Sequence, residues 1–146
     1  MAKIIIIGGL IFTPQILQPM IENYPNVSYI DINKFDNINS IHSELYSEIQ
    51  VANNIIIIAY SAGGVVAVDF IIKYQPQIQQ LILMNSAPCF IANDIDNWHG
   101  LAQADLLNMQ KKLSQLSLEN FLQSFAYIAT YPQRVQNKTL ENLYSR

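Results

Sequence analysis

The segment Ala59-Tyr60-Ser61-Ala62-Gly63-Gly64 joins the strongest apolar run, Ile55–Ala59, to an apolar helical stretch from Val65 to Tyr74. A serine on so sharp a strand-to-helix turn is exposed for nucleophilic attack only if the residues two before and two after it are small. Gly63 meets that need, and Ala59 stands where glycine is usual. The helix that follows aims its positive N-terminal end at Ser61, and the Ala62 N–H faces the place where an oxyanion would develop. The loop Gly8-Gly9-Leu10-Ile11-Phe12 follows another apolar run. In such a site the second oxyanion donor comes from this loop, and Leu10 N–H is the candidate. Two plainer readings stand beside these. Ser61 can simply cap a helix. The Gly8-Gly9 turn can be a dinucleotide turn, with Asp31, 22 residues after Gly9, as its ribose acid. The glycine fingerprint fails at Leu10 and Thr13, where bulk blocks the approach of a pyrophosphate.

A serine hydroxyl needs a base beside it. The sequence holds two histidines, and neither follows a terminal strand as the order Ser…Asp…His requires. His42 lies in an amphipathic helix before the serine and is placed on its solvent face. His99 lies among loop residues. Asp94, Asp96 and Asp105 read as turn and helix-start acids. Cys89 follows Pro88 with no base nearby and reads as a small buried or half-buried residue.

The elements that position these residues are legible from periodicity. Ile4–Ile7, Ile55–Ala59 and Leu81–Met84 are unbroken apolar runs, and Val27–Ile32 is a looser fourth. Unbroken runs suit strands buried on both faces of a parallel sheet. Thr13 and Pro14 open a helix with Ile16, Leu17, Met20 and Ile21 on its stripe. Ile38, Ile41, Leu45 and Ile49 mark a second helix, and Val65–Tyr74 a third, closed before Pro76. The order β-α-β-α-β-α-β predicts an α/β fold of about four parallel strands. After Met84 the pattern is helical: 101–116, then a helix capped by Ser117 carrying Phe121, Leu122, Phe125 and Ile128, then one opened by Pro132 with Val135, Leu140 and Leu143. The expected organisation is 1–86 as a sheet domain and 87–146 as a helical appendage.

Composition narrows the class. The 146 residues are 51% hydrophobic and 13% charged, with net charge −3. One domain of this size can bury a real core. Excess acid argues against a nucleic-acid binder, and no run reaches a membrane span. The start at Met1-Ala2-Lys3 shows no signal-peptide pattern, so a cytoplasmic location is expected. A single cysteine excludes an internal disulfide framework and a multi-cysteine metal site. No metal or cofactor is expected.

Gly8-Gly9-Leu10-Ile11-Phe12, Tyr60-Ser61-Ala62-Gly63-Gly64 and Asn85-Ser86-Ala87-Pro88-Cys89-Phe90 together resemble the α/β-hydrolases. The Pro-Cys-Phe segment, followed by Trp98-His99-Gly100, is similar to the carboxylesterases of biotin synthesis that demethylate pimeloyl-carrier-protein methyl ester. The resemblance implies a partial α/β-hydrolase sheet with a C-terminal helical cap. It implies Ser61 as nucleophile, an acyl ester as substrate and an acyl carrier protein as partner. Phe90 and Trp98 are candidates to line the substrate channel, and Lys111, Lys112 and Arg134 to meet the carrier. Three positions depart from the family pattern, Gly8 replacing its histidine, Ala59 a glycine and His99 a proline, and the sequence ends within the cap. The family's Asp and His lie on loops after further strands. The resemblance therefore implies a truncated product, a fragment or one half of a split protein, with a complementary chain bringing those strands. A remnant without the triad that serves as a binding module, and another lidded esterase or thioesterase, remain open.

Overall fold

A computed structural model describes residues 2–11, 17–93 and 97–130. The chain divides into two compact units, Met1–Pro88 and Cys89–Arg146. In the first, four strands form one sheet: β1 (Lys3–Ile7), β2 (Val27–Ile30), β3 (Ile55–Tyr60) and β4 (Gln80–Met84). All pairings are parallel and the order is β2-β1-β3-β4. Parallel neighbours cannot be joined by tight hairpins, so helices make the connections. These are α1 (Gln18–Ile21), α2 (Ile38–Gln50) and α3 (Ala62–Tyr74).

The isoleucine runs act as read from the sequence, with a difference between strands. β1 is buried along its whole length, as a central strand should be. β3 alternates between fully and partly buried positions, and β4 is only partly buried. The main core explains this asymmetry. Ile5, Ile7, Ile57 and Ala59 face Leu45 and Ile49 of α2 and Ala67 and Phe70 of α3. On the other face a thinner cluster joins Ile4, Ile6 and Leu17 to partly buried Tyr29, Ile56, Ile58 and Tyr60.

Helix α2 begins at Asn37, whose side chain accepts from the Ser40 N–H at 3.0 Å. It buries Ile41, His42, Leu45 and Ile49, while Ile38 is largely exposed. The solvent placement of His42 is therefore corrected. Residue 42 is three before Leu45 and seven before Ile49, so helical geometry turns it into the stripe. Its ring packs edge-on against Phe70 and Tyr74 at 5.4 and 5.5 Å. At the other end of the sheet Lys3 is buried, with Nζ 2.6 Å from Glu48 of α2. Burial alone would raise the Glu48 carboxyl. Hydrogen bonds from Lys3 and Ser28 and the Lys3 charge outweigh it and hold the carboxyl below its usual range.

In the second unit α4 (Gln103–Gln115) and α5 (Leu118–Thr130) follow a looped segment. Ser117 caps α5 by accepting from the Asn120 N–H at 3.3 Å, and Asp105 sits in the first turn of α4. The loop is closed by isolated bridges Ile91–Leu101 and Asn93–Trp98. This turn leaves Cys89 exposed, with Sγ 3.6 Å from the Ile91 carbonyl oxygen, which corrects its reading as a buried or half-buried residue. The expected helix start at Thr13-Pro14, Asp94 and Asp96, and the helix opened by Pro132 lie outside the described residues. Among the described residues, no helix is long and apolar enough to cross a membrane.

Candidate active site

The chain leaves β1 for β2 on one side and later returns to β3 on the other. In an open parallel sheet such a reversal opens a crevice at the carboxyl ends of the two strands. The loop Gly8–Ile11 leaves β1 there, and Ser61 leaves β3 there. The two are in close approach: a Cβ added to Gly9 would lie 2.9 Å from the Ser61 Cβ. Only glycine fits at that position.

Ser61 has φ 52° and ψ −125°. A side-chain-bearing residue at positive φ is strained by roughly 1–3 kcal/mol and persists only where its surroundings fix it. Three hydrogen bonds to its backbone do so, one of them from a side chain. The Ser61 N–H donates to the Met84 carbonyl at 3.0 Å. Its own carbonyl accepts from the Gly64 N–H at 3.0 Å and from the Ser86 hydroxyl at 2.5 Å. Ser61 makes no side-chain capping bond to α3, so the plain helix-cap reading does not describe its hydroxyl. The small residues after it are needed for packing. A Cβ on Gly63 would come 2.7 Å from the Ile7 carbonyl oxygen, and one on Gly64 would meet Ser86. Ala62 opens α3, and as the first helical residue its N–H has no carbonyl one turn back to donate to.

The first loop is braced by Asn33, which spacing did not single out. Asn33 Nδ2 donates to the Gly9 carbonyl at 3.1 Å, and Asn33 Oδ1 accepts from the Ile11 N–H at 3.2 Å. Leu10, between them, is 55% exposed. Asp31 holds this amide in place. Its Oδ1 accepts from Asn33 N at 3.1 Å and Nδ2 at 2.9 Å. Asp31 thus serves as a bracket for the loop, not as the acid of a ribose site. Beside it lies Tyr29, whose phenol is pushed up to about 12 by burial and then by the Asp31 charge. The signal available in the sequence was the Asp31-Ile32-Asn33 spacing of a side-chain-capped turn.

Of the remaining candidates, His42 lies away from this crevice, and the others belong to the second unit or fall outside the described residues. His42 is 1% exposed and faces Phe70, about 12 Å along α3 from its first residue at 1.5 Å per residue. Its Nε2 is 3.4 Å from Asp69. Burial pushes its pKa below the usual histidine value; the Asp69 charge pulls the other way. In the second unit Phe90 and Trp98 are each partly exposed, and the indole N–H donates to the Cys89 carbonyl at 3.0 Å. Lys111 and Lys112 are exposed on α4. Arg134 lies outside the described residues.

A parallel sheet with a strained serine between its central strand and the next helix defines an α/β-hydrolase-type fold. The fold is shared with a solved esterase from Exiguobacterium antarcticum, at TM-score 0.77 and 14% identity, over 99% of this chain and 59% of that one. The chain is similar to the pimeloyl-[acyl-carrier protein] methyl ester esterases. It is 29% identical to that of Shewanella woodyi over 124 residues, covering 80% of this chain and 47% of the relative. The figures for Shewanella oneidensis are 30%, 80% and 46%. No family model matches the chain. The chain thus spans about half the length of the curated relatives it matches.

Proposed function

We propose that the chain is the nucleophile-bearing part of a serine carboxylesterase acting on an acyl ester, by similarity a pimeloyl-carrier methyl ester. The observation that carries this reading is the backbone of Ser61, held at positive φ by β4 and α3 beside the Gly8-Gly9 loop. Ser61 Oγ attacks the ester carbonyl, and the N–H groups of Leu10 and Ala62 receive the oxyanion. In this reading the segment from Cys89 onward is the cap, Phe90 and Trp98 line the acyl channel, and Lys111, Lys112 and Arg134 bind the carrier.

The proton of Ser61 must go to a base, and the buried, Asp69-facing His42 is poorly suited to that role. The base and its orienting carboxylate come from polypeptide beyond these 146 residues. Without them a site keeps only the roughly 10³–10⁴-fold rate advantage over water that binding and oxyanion donors supply. The test is hydrolysis of pimeloyl methyl ester, with fluorophosphonate labelling mapped to Ser61. Both are run on the chain alone and with the part of the Shewanella woodyi esterase outside the matched region added in trans. Feeble activity alone, turnover with the complement and its loss in Ser61→Ala are expected. Robust Ser61-dependent turnover by the chain alone would show a base within it, with His99 the first suspect. Absence of labelling in the complemented protein would favour a binding module over an enzyme.

A further inference from the structure

The geometry points to Asn33 as the positioning residue of the oxyanion pocket, fixing through its side-chain amide the direction in which the Leu10 N–H points; this rests on the Ser61 reading above. The Gly9 carbonyl and the Leu10 N–H belong to one peptide plane, and in a trans peptide they point in opposite directions. Asn33 Nδ2 holds that carbonyl at 3.1 Å. The Leu10 N–H must therefore point away from Asn33. The next amide, Ile11 N–H, is taken by Asn33 Oδ1 at 3.2 Å. One side chain thus engages the peptide groups on both sides of Leu10 and leaves the Leu10 N–H available to a ligand.

Two further observations support the assignment. Ile11 has φ 75°, a conformation a β-branched residue adopts only where something holds it, and its N–H is the one bound to Asn33. The orientation of the amide is unambiguous. Its nitrogen faces two acceptors, Gly9 O and Asp31 Oδ1, and its oxygen faces a donor. With Gly9 packed on the Ser61 Cβ, the peptide that Asn33 sets is the one beside the nucleophile.

The test measures the rate of fluorophosphonate labelling at Ser61, whose adduct places a phosphoryl oxygen in the oxyanion position. Asn33→Ala and Asn33→Asp are compared with the unsubstituted chain, with and without the complement, well below their unfolding temperatures. Removing an oxyanion donor outright typically costs 10²–10³-fold; a donor left in place but unfixed should cost about tenfold or more. In Asn33→Asp the introduced carboxylate can still accept from Ile11 but cannot donate to Gly9. Acidification protonates it and restores a donor, so its rate relative to the unsubstituted chain at the same pH should recover. A role confined to stability would move the unfolding midpoint and leave this pH-dependent ratio flat. Should both variants label at the unsubstituted rate, the inference falls and Ser61 stands. If the unsubstituted chain fails to label even when complemented, the Ser61 reading falls, and the role of Asn33 falls with it. Amide hydrogen exchange reports the clamp itself: Ile11 should be protected in the unsubstituted chain and lose protection in Asn33→Ala, and equal exchange would overturn the clamp.

Discussion

As the proposed nucleophile, Ser61 sets stability against chemistry. Its φ of 52° is unfavourable for any residue with a Cβ, yet it lifts the hydroxyl off the end of β3. Glycine would adopt the same backbone freely. Ser61→Gly should relieve about 1–3 kcal/mol of strain, offset by about 0.5–1 kcal/mol of added freedom in the unfolded chain. A net gain near 1 kcal/mol is expected, read as a higher urea midpoint at unchanged slope, together with complete loss of labelling. A midpoint that falls would mean that the turn is relaxed and the hydroxyl contributes to folding. Gly64 is constrained in the opposite sense, since Ser86 fills the space a side chain would need. In the sequence Ser86 stands only as one residue of the Asn85–Phe90 segment. Its hydroxyl turns out to bind the Ser61 carbonyl across 25 residues, a contact that no local spacing encodes.

The α2–α3 pair contains the titratable group most open to test. His42 is enclosed by Phe70 and Tyr74 of α3; Asp69 and Lys73 of the same helix are the charges that act on it. Burial lowers its pKa more than Asp69 raises it, so the folded chain binds a proton less readily than the unfolded one. Stability is then full above the unfolded value of about 6.5 and falls as the pH drops below it. Between pH 7.5 and 5.5 the urea midpoint should fall further in the unsubstituted chain than in His42→Phe, where the carboxylates are the same. An equal fall would show that the imidazole keeps its normal proton affinity. The burial of His42 marks how far patterning reaches. The runs Ile4–Ile7 and Ile55–Ala59 announced buried parallel strands because nothing polar interrupts them. Helix α2 is legible from Ile41, Leu45 and Ile49, and the same geometry puts residue 42 in the buried stripe although its side chain is polar. The serine turn was legible because its constraints are local, a strand, small residues and a helix in succession. The bracket made by Asp31 and Asn33 was not, because its partners Gly9 and Ile11 are brought to it only by the pairing of β1 with β2.

Charge is unevenly divided between the two units. Five of the eight basic residues fall in 89–146, where five acidic residues balance them, and the remaining three face six acidic ones in 1–88. Neither unit has a net positive field to draw in an acidic partner, so any steering toward a carrier must be local. The adjacent, exposed Lys111 and Lys112 on α4 are the densest basic pair among the described residues. Exposed ion pairs contribute about 0.2–1 kcal/mol each. Reversing both charges replaces two attractions with two repulsions and should weaken binding of an acidic acyl carrier protein about tenfold at low salt. The loss should appear mainly in the association rate and shrink as salt rises, since the screening length falls from roughly 30 Å at 0.01 M to 8 Å at 0.15 M. The measurement is carrier affinity against ionic strength for the unsubstituted chain and the Lys111→Glu/Lys112→Glu double variant. Both lysines are exposed, so the variant should unfold at the same urea concentration. Two coincident salt curves would place the carrier surface elsewhere, and a loss that persists at high salt would point to an apolar contact instead of these charges.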